Sequence, residues 1–181
     1  PYLRTGVLEL AKNRIPWLLI LMFTSILSGA ILMDYREAIQ VLPLLLSFVP
    51  MLMDTSGNCG NQSSTMVIRG MAVGDIELKD VLRVVWKEFR VGLLCGAVLA
   101  AANFIRLILQ YPDRQALNLV IVLSLMLAVV LAKIIGCVLP MLAEKMKLDP
   151  AIMAAPLITT IVDASSLLIY FKIASMLLHL S

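Results

Sequence analysis

Apolar residues in this chain fall into long uninterrupted stretches separated by short charged loops. A helix that crosses a bilayer needs about 20 mostly apolar residues. Five stretches approach or exceed that length: about Pro16 to Met33, Ile39 to about Met71, about Val91 to Leu109, about Ala116 to Leu142, and Pro150 to about Leu178. The pattern predicts an all-α polytopic membrane protein with five transmembrane helices. The longest polar stretch, Asp75 to Arg90, carries Glu77, Asp80, Arg83, Lys87 and Arg90 at spacings of three and four, which predicts an interfacial helix with a solvated face. Residues 1–15 read as a basic approach to the first span; no basic segment followed by a small-residue cleavage site marks a signal peptide. The start at Pro1 without a Met is read as that of a fragment detached from a preceding segment.

Composition fixes the solvent. Of 181 residues, 61% are hydrophobic and 15% charged, against roughly 45–50% and 25% in an ordinary soluble domain. So much aliphatic surface exceeds what one globular core of this size hides from water, which leaves lipid. The net charge of +3 and the single His, His179, support neither a nucleic-acid footprint nor a His-based metal or acid–base centre. Cys59, Cys95 and Cys137 stand singly, with no CxxC pair and no disulfide framework.

Lys and Arg set the orientation, because cytoplasmic loops carry the excess. With the N-terminus cytoplasmic, that side collects Arg4, Lys12, Arg14, Arg69, Lys79, Arg83, Lys87, Arg90, Lys133, Lys145 and Lys147, and the other keeps Arg36, Arg106, Arg114 and Lys172: eleven against four. Five spans then leave the C-terminus outside. Arg69 and Lys133 are placed at helix ends, snorkelling to the surface.

The second stretch contains a run that lipid does not tolerate. Between Met53 and Met66 all twelve residues are small or polar, so they must face protein or a water-filled cavity. Gly57 and Gly60 bare the backbone, and Gly57, Asn61 and Ser64 recur on one helical face. That face presents mainly oxygens, the ligands chosen by hard cations such as Mg2+ and Ca2+. Small residues alone suit helix packing, but Asp54, Asn58, Asn61 and Gln62 within nine residues exceed what packing needs. Asp54 has two readings, a cap on the lower half of a broken second helix and an attractor of cations at the outer mouth.

The last stretch holds a carboxylate. Asp163 lies thirteen residues past Pro150, roughly 20 Å along a helix and near the middle of a 30 Å hydrocarbon core. An ionisable group at that depth is a functional candidate. Pro156, Thr159, Thr160, Ser166 and Tyr170 fall on or beside its face, and no other span offers it a mid-depth basic partner. Asp149 before Pro150 forms a helix-start signal, an N-cap followed by Pro at the first turn.

The run from Pro50 through Thr65, with its GNxGNQ core, together with Arg69-Gly, Gly74-Asp-Ile, Asp149-Pro-Ala and the segment from Pro156 to Asp163, resembles the transmembrane domain of the MgtE family of magnesium channels. The resemblance covers essentially the whole chain. It implies a homodimer of five-helix subunits with a pore on the twofold axis, lined by the second and fifth spans. It further implies that Asp163 binds a hydrated Mg2+ with help from Gly57 and Asn61, while Thr159 and Asp54 complete the set of metal candidates. Ala155 departs from the Asn carried there by better-studied members. Residues 1–15 would be the end of a connecting helix from cytosolic N and CBS domains, and 16–181 the pore domain, in the bacterial plasma membrane.

A closed twofold interface doubles each polar stripe and brings two Asp163 carboxylates to one axis, where a divalent cation relieves their repulsion. The function expected is a magnesium-selective channel domain conducting hydrated Mg2+ inward; a Na- or H-coupled divalent cation exchanger is the alternative. An intramembrane aspartyl protease built on Asp54 and Asp163 is disfavoured, because the GxGD signature is missing and the amide-rich run has no role in that chemistry. A purely structural membrane subunit is disfavoured too, because interhelical polar contacts average under about 1 kcal/mol.

Overall fold

The computed structural model describes residues 6–147 and 150–179, and these contain no strand. Six α-helices follow in order: α1 (Val7–Asp34), α2 (Arg36–Val41), α3 (Val49–Ala72), α4 (Val81–Gln110), α5 (Gln115–Lys145) and α6 (Pro150–Leu178). Two 3-10 turns, Pro43–Phe48 and Leu78–Asp80, lead into α3 and α4.

The second apolar stretch is not one element. Pro43 disfavours helical backbone at the residue before it. Leu42 is accordingly extended at φ −135° and ψ 80°, so α2 stops at Val41. Pro50 then sits in the first turn of α3, where its missing N–H costs nothing. From there α3 is continuous to Ala72 through the whole polar run. No lower half begins at Asp54, and the capping role considered for it is ruled out: Asp54 lies inside the helix.

The third span is longer than expected. Asp80 Oδ2 accepts the Glu77 backbone N–H at 3.2 Å in a capping box. Val81 begins a helix that runs unbroken to Gln110. The expected interfacial helix is therefore the short 3-10 turn plus the first turns of α4, because nothing between Arg83 and Arg90 breaks the backbone.

Among the described residues four helical stretches are long and apolar enough to cross a membrane: Val7–Asp34, Leu78–Gln110, Gln115–Lys145 and Pro156–Leu178. The 24 residues of α3 extend about 36 Å at 1.5 Å each, long enough for a fifth crossing, but the polar run removes the apolar character.

α5 is the axis of the bundle and packs against α3, α4 and α6, while α3 also packs on α6. More than half of the most apolar α5 window, 56%, is buried, against 6% for α1, which lies mainly on α6. The main core joins Leu45, Phe48 and Leu52 to Leu107, Val120, Ile121, Val129, Leu167 and Phe171.

The elbow before α3 is fastened to α6. Tyr35 stacks on Phe171 with ring centroids 5.0 Å apart, and the buried Tyr170 hydroxyl donates to the Leu45 carbonyl at 3.0 Å. Removing that hydroxyl deletes a buried hydrogen bond between α6 and the elbow, a cost of about 0.5–1.5 kcal/mol. Tyr170→Phe is expected to lower the apparent melting temperature in detergent by roughly 1–6 °C at 2–4 °C per kcal/mol. An unchanged melting curve would show that the elbow is held by packing alone.

Candidate ion-binding site

The polar run on α3 sends its side chains in two directions. Met53, Asp54, Gly57, Asn58 and Asn61 line a cleft of about 170 Å3, and Thr159 and Asp163 complete it from α6. All five sequence-derived metal candidates, Asp163, Asn61, Gly57, Thr159 and Asp54, therefore meet in one place. Asp54 and Asn58 are exposed, Asp163 is half-buried and Gly57 is buried. Successive cleft residues on α3 stand three or four apart, which puts them along one helical face.

Gly57 keeps that face low. A Cβ built there would lie 3.7 Å from Asp163 Oδ1, so a larger side chain would fill the space in front of the carboxylate. The Asn61 amide donates to Thr159 Oγ1 at 3.4 Å, tying α3 to α6 across the floor. The side-chain oxygen of Asn61, Oδ1, is buried and makes no hydrogen bond within the protein. A buried acceptor without a donor is uncommon and calls for a partner. The cleft thus presents carboxylate oxygens, an amide acceptor and a hydroxyl, with no nitrogen or sulfur ligand among the lining groups except the thioether of Met53. These are hard-cation groups. Asp54 and Asp163 also place two like charges in one cleft, and nearby positive charge relieves their repulsion.

Other residues grouped with Asp163 go elsewhere. Ser166 is buried and hydrogen-bonds Ser56 at 2.8 Å, Thr160 donates to its own helix at Pro156, and Tyr170 holds the elbow. Ser64 is buried away from the cleft lining. Asp149 lies outside the described residues.

The back of α3 faces α5. A Cβ on Gly136 would collide with the Gly60 carbonyl oxygen and lie 2.9 Å from its carbonyl carbon; one on Gly60 would lie 2.9 Å from Ile158 Cγ2. The two backbones touch there, which only glycine permits.

One residue was misplaced by sequence reasoning. Lys133 does not snorkel to a helix end: it is 3% exposed in the interior of α5. Its ammonium donates to Gln62 Oε1 at 3.0 Å and Ser63 Oγ at 3.3 Å. A basic residue is therefore present inside the bundle, contrary to expectation, but it pairs with the back of α3 and not with Asp163. The signal was a lone Lys inside the most apolar stretch of the chain; a polar partner two helices away, some 70 residues earlier, is invisible to sequence neighbours.

A helical bundle with several membrane-capable helices and an oxygen-lined cleft between two of its elements has the build of a polytopic membrane protein. The MgtE family, described as "Divalent cation transporter", matches residues 49–173. The chain belongs to that family. It is 38% identical over 179 residues to the magnesium transporter MgtE of Thermus thermophilus, covering 98% of this chain and 39% of that protein. It is 37% identical over 169 residues to the magnesium transporter MgtE of Bacillus subtilis, covering 93% of this chain and 37% of that protein. A third, from Enterococcus faecalis, is 32% identical over 172 residues, covering 95% and 38%. The chain thus spans about two fifths of the length of these relatives.

Proposed function

We propose that this chain is the ion-conducting part of a magnesium channel and that hydrated Mg2+ passes inward along the cleft between α3 and α6. The observation that carries this reading is the convergence of Asp163, Asp54, Asn58 and Asn61 on one cleft. The relatives' description as magnesium transporters supports the choice of ion.

The donor set suits an ion that keeps its waters. Mg2+ dehydrates reluctantly and demands near-ideal octahedral geometry, so full stripping needs a closer oxygen cage than the two carboxylates of one cleft supply. Water molecules on the ion donate, and the carboxylates and the Asn61 oxygen accept. Charge then favours divalent over monovalent ions, and the width of the cleft discriminates among hydrated divalents.

A second copy of the chain closes the cleft across a twofold axis, with α3 as the fifth crossing, and pairs the Asp163 carboxylates around the ion. The subunit sits in the plasma membrane with its N-terminus cytoplasmic and its C-terminus outside. The remaining length of the relatives accommodates cytosolic N and CBS domains that join through residues 1–15 and regulate the pore.

No second ion is needed for energy. An inside-negative potential is worth about 2.3 kcal/mol per charge per 100 mV, so about 4.6 kcal/mol for a divalent cation. In proteoliposomes with Na+ and proton gradients clamped to zero, Mg2+ uptake is expected to continue and to rise with inside-negative voltage. Uptake that stops under the clamp would favour the coupled exchanger instead.

A further inference from the structure

Behind the cleft, away from its lining on α3, lies a polar network with Ser63 and Lys133 buried, Glu88 half-buried and Gln62 exposed, which the ion site does not use. Lys133 holds Gln62 and Ser63, the two residues that immediately follow Asn61, and Ser63 in turn donates to Glu88 Oε2 of α4 at 2.5 Å. Ser63 is 1% exposed and Lys133 3%. α4 is shaped for this contact. A Cβ on Gly92, one turn beyond Glu88, would meet Val130 Cα at 3.2 Å, with the Lys133 stem next at 3.6 Å, so the missing side chain lets α4 approach α5 closely beside Lys133.

A buried ammonium joined to a carboxylate through one hydroxyl is costly to desolvate, and an apolar replacement of the whole set often stabilises a protein. Such a set yields little net stability, but it has direction. Gln62 and Ser63 are displaced about 100° and 200° around the helix from Asn61 at 3.6 residues per turn. Fixing them against α5 and α4 therefore fixes the rotation of α3. Rotation decides whether Asn61, Gly57 and Asp54 point into the cleft or against a neighbouring helix.

We propose that Lys133 is a positioning residue for the ion site: bound to Gln62 and Ser63, and through Ser63 to Glu88, it locks the rotation of α3 that presents Asn61 and Gly57 to Asp163. The proposal rests on the ion-site reading above. Groups that orient metal-binding residues without touching the metal cost about 10- to 100-fold in affinity or activity when removed.

The test uses the chain in detergent and in proteoliposomes, with K133M, S63A and, as reference, D163N. Two readouts are taken: the Mg2+ concentration giving half-maximal thermal stabilisation, and the ratio of Mg2+ to Ca2+ flux. Mg-free melting temperature is recorded separately, because a merely structural role moves that quantity alone. K133M is expected to raise the half-point about 10- to 100-fold and S63A to raise it about tenfold, both with a lower Mg2+ to Ca2+ ratio. S63A preserves every charge and nearly all volume, so it decides the matter if K133M does not fold. A native half-point and flux ratio in S63A and in any folded K133M, beside a shifted half-point in D163N, would overturn the positioning role and leave the ion site standing. An unchanged half-point in D163N would overturn the ion site and the proposal together.

Discussion

Asp163→Asn is expected to remove most of the Mg2+ affinity of this protein while leaving its fold intact. The substitution keeps the shape of the side chain and one acceptor oxygen, and the residue is only half-buried where α6 lines the cleft. What changes is charge. Two unit charges 4 Å apart interact by about 4 kcal/mol at an effective dielectric of 20. A divalent ion held at somewhat greater distance through its water shell gains a comparable amount. At 1.4 kcal/mol per decade, a loss of about a hundredfold or more in Mg2+ affinity follows. Titrating Mg2+ against thermal stabilisation, or against voltage-driven flux, measures it. Asp54 remains in the mutant cleft, so residual divalent binding is expected at the mouth. Native affinity in Asp163→Asn would return the carboxylate to a structural role and deprive the channel reading of its centre.

Gly136→Ala is expected to have the largest effect on stability for the smallest change in mass. In an exposed helix interior the same replacement gains about 1 kcal/mol from helix propensity. At Gly136 the new methyl meets the carbonyl of Gly60, which is backbone and has no rotamer to turn away. α3 and α5 must move apart, and overpacking of this kind costs about 1–3 kcal/mol or more. The apparent melting temperature should fall by roughly 2–12 °C at 2–4 °C per kcal/mol. Flux should fall as well, because Asn61 directly follows Gly60 and shifts with it. Gly29→Ala in α1 is the control, since a Cβ there meets nothing within 4 Å; it should be neutral or slightly stabilising. Equal melting temperatures for both variants would mean that α3 and α5 are not in backbone contact.

Much of the site was legible because its residues break a strong rule. A carboxylate and a run of amides in apolar surroundings are costly, so Asp163 and the Asp54–Thr65 segment stood out without any knowledge of partners. The helical repeat also placed Gly57 and Asn61 on one face, and both line the cleft. The same reasoning failed where geometry depends on contact. Ser64 obeys the repeat but is turned into the bundle, and Ser166 and Tyr170, taken with Asp163, serve other bonds. The extent of α4 was missed because charge was read as the end of a span, although a helix extends through charged residues wherever its backbone is unbroken.

By itself the sequence determined the solvent, the helical class, the apolar stretches and the residue types that line the cleft, because these follow from local composition and from a fixed helical period. Only the tertiary structure decided how the polar run divides: Asp54, Asn58 and Asn61 to the cleft, Gln62 and Ser63 to Lys133, and Gly60 to Gly136. The period gives relative directions around α3 but not its absolute rotation. That rotation is set by neighbours distant in the chain, through a glycine–glycine contact too close for any side chain and a buried ammonium that must find its acceptors.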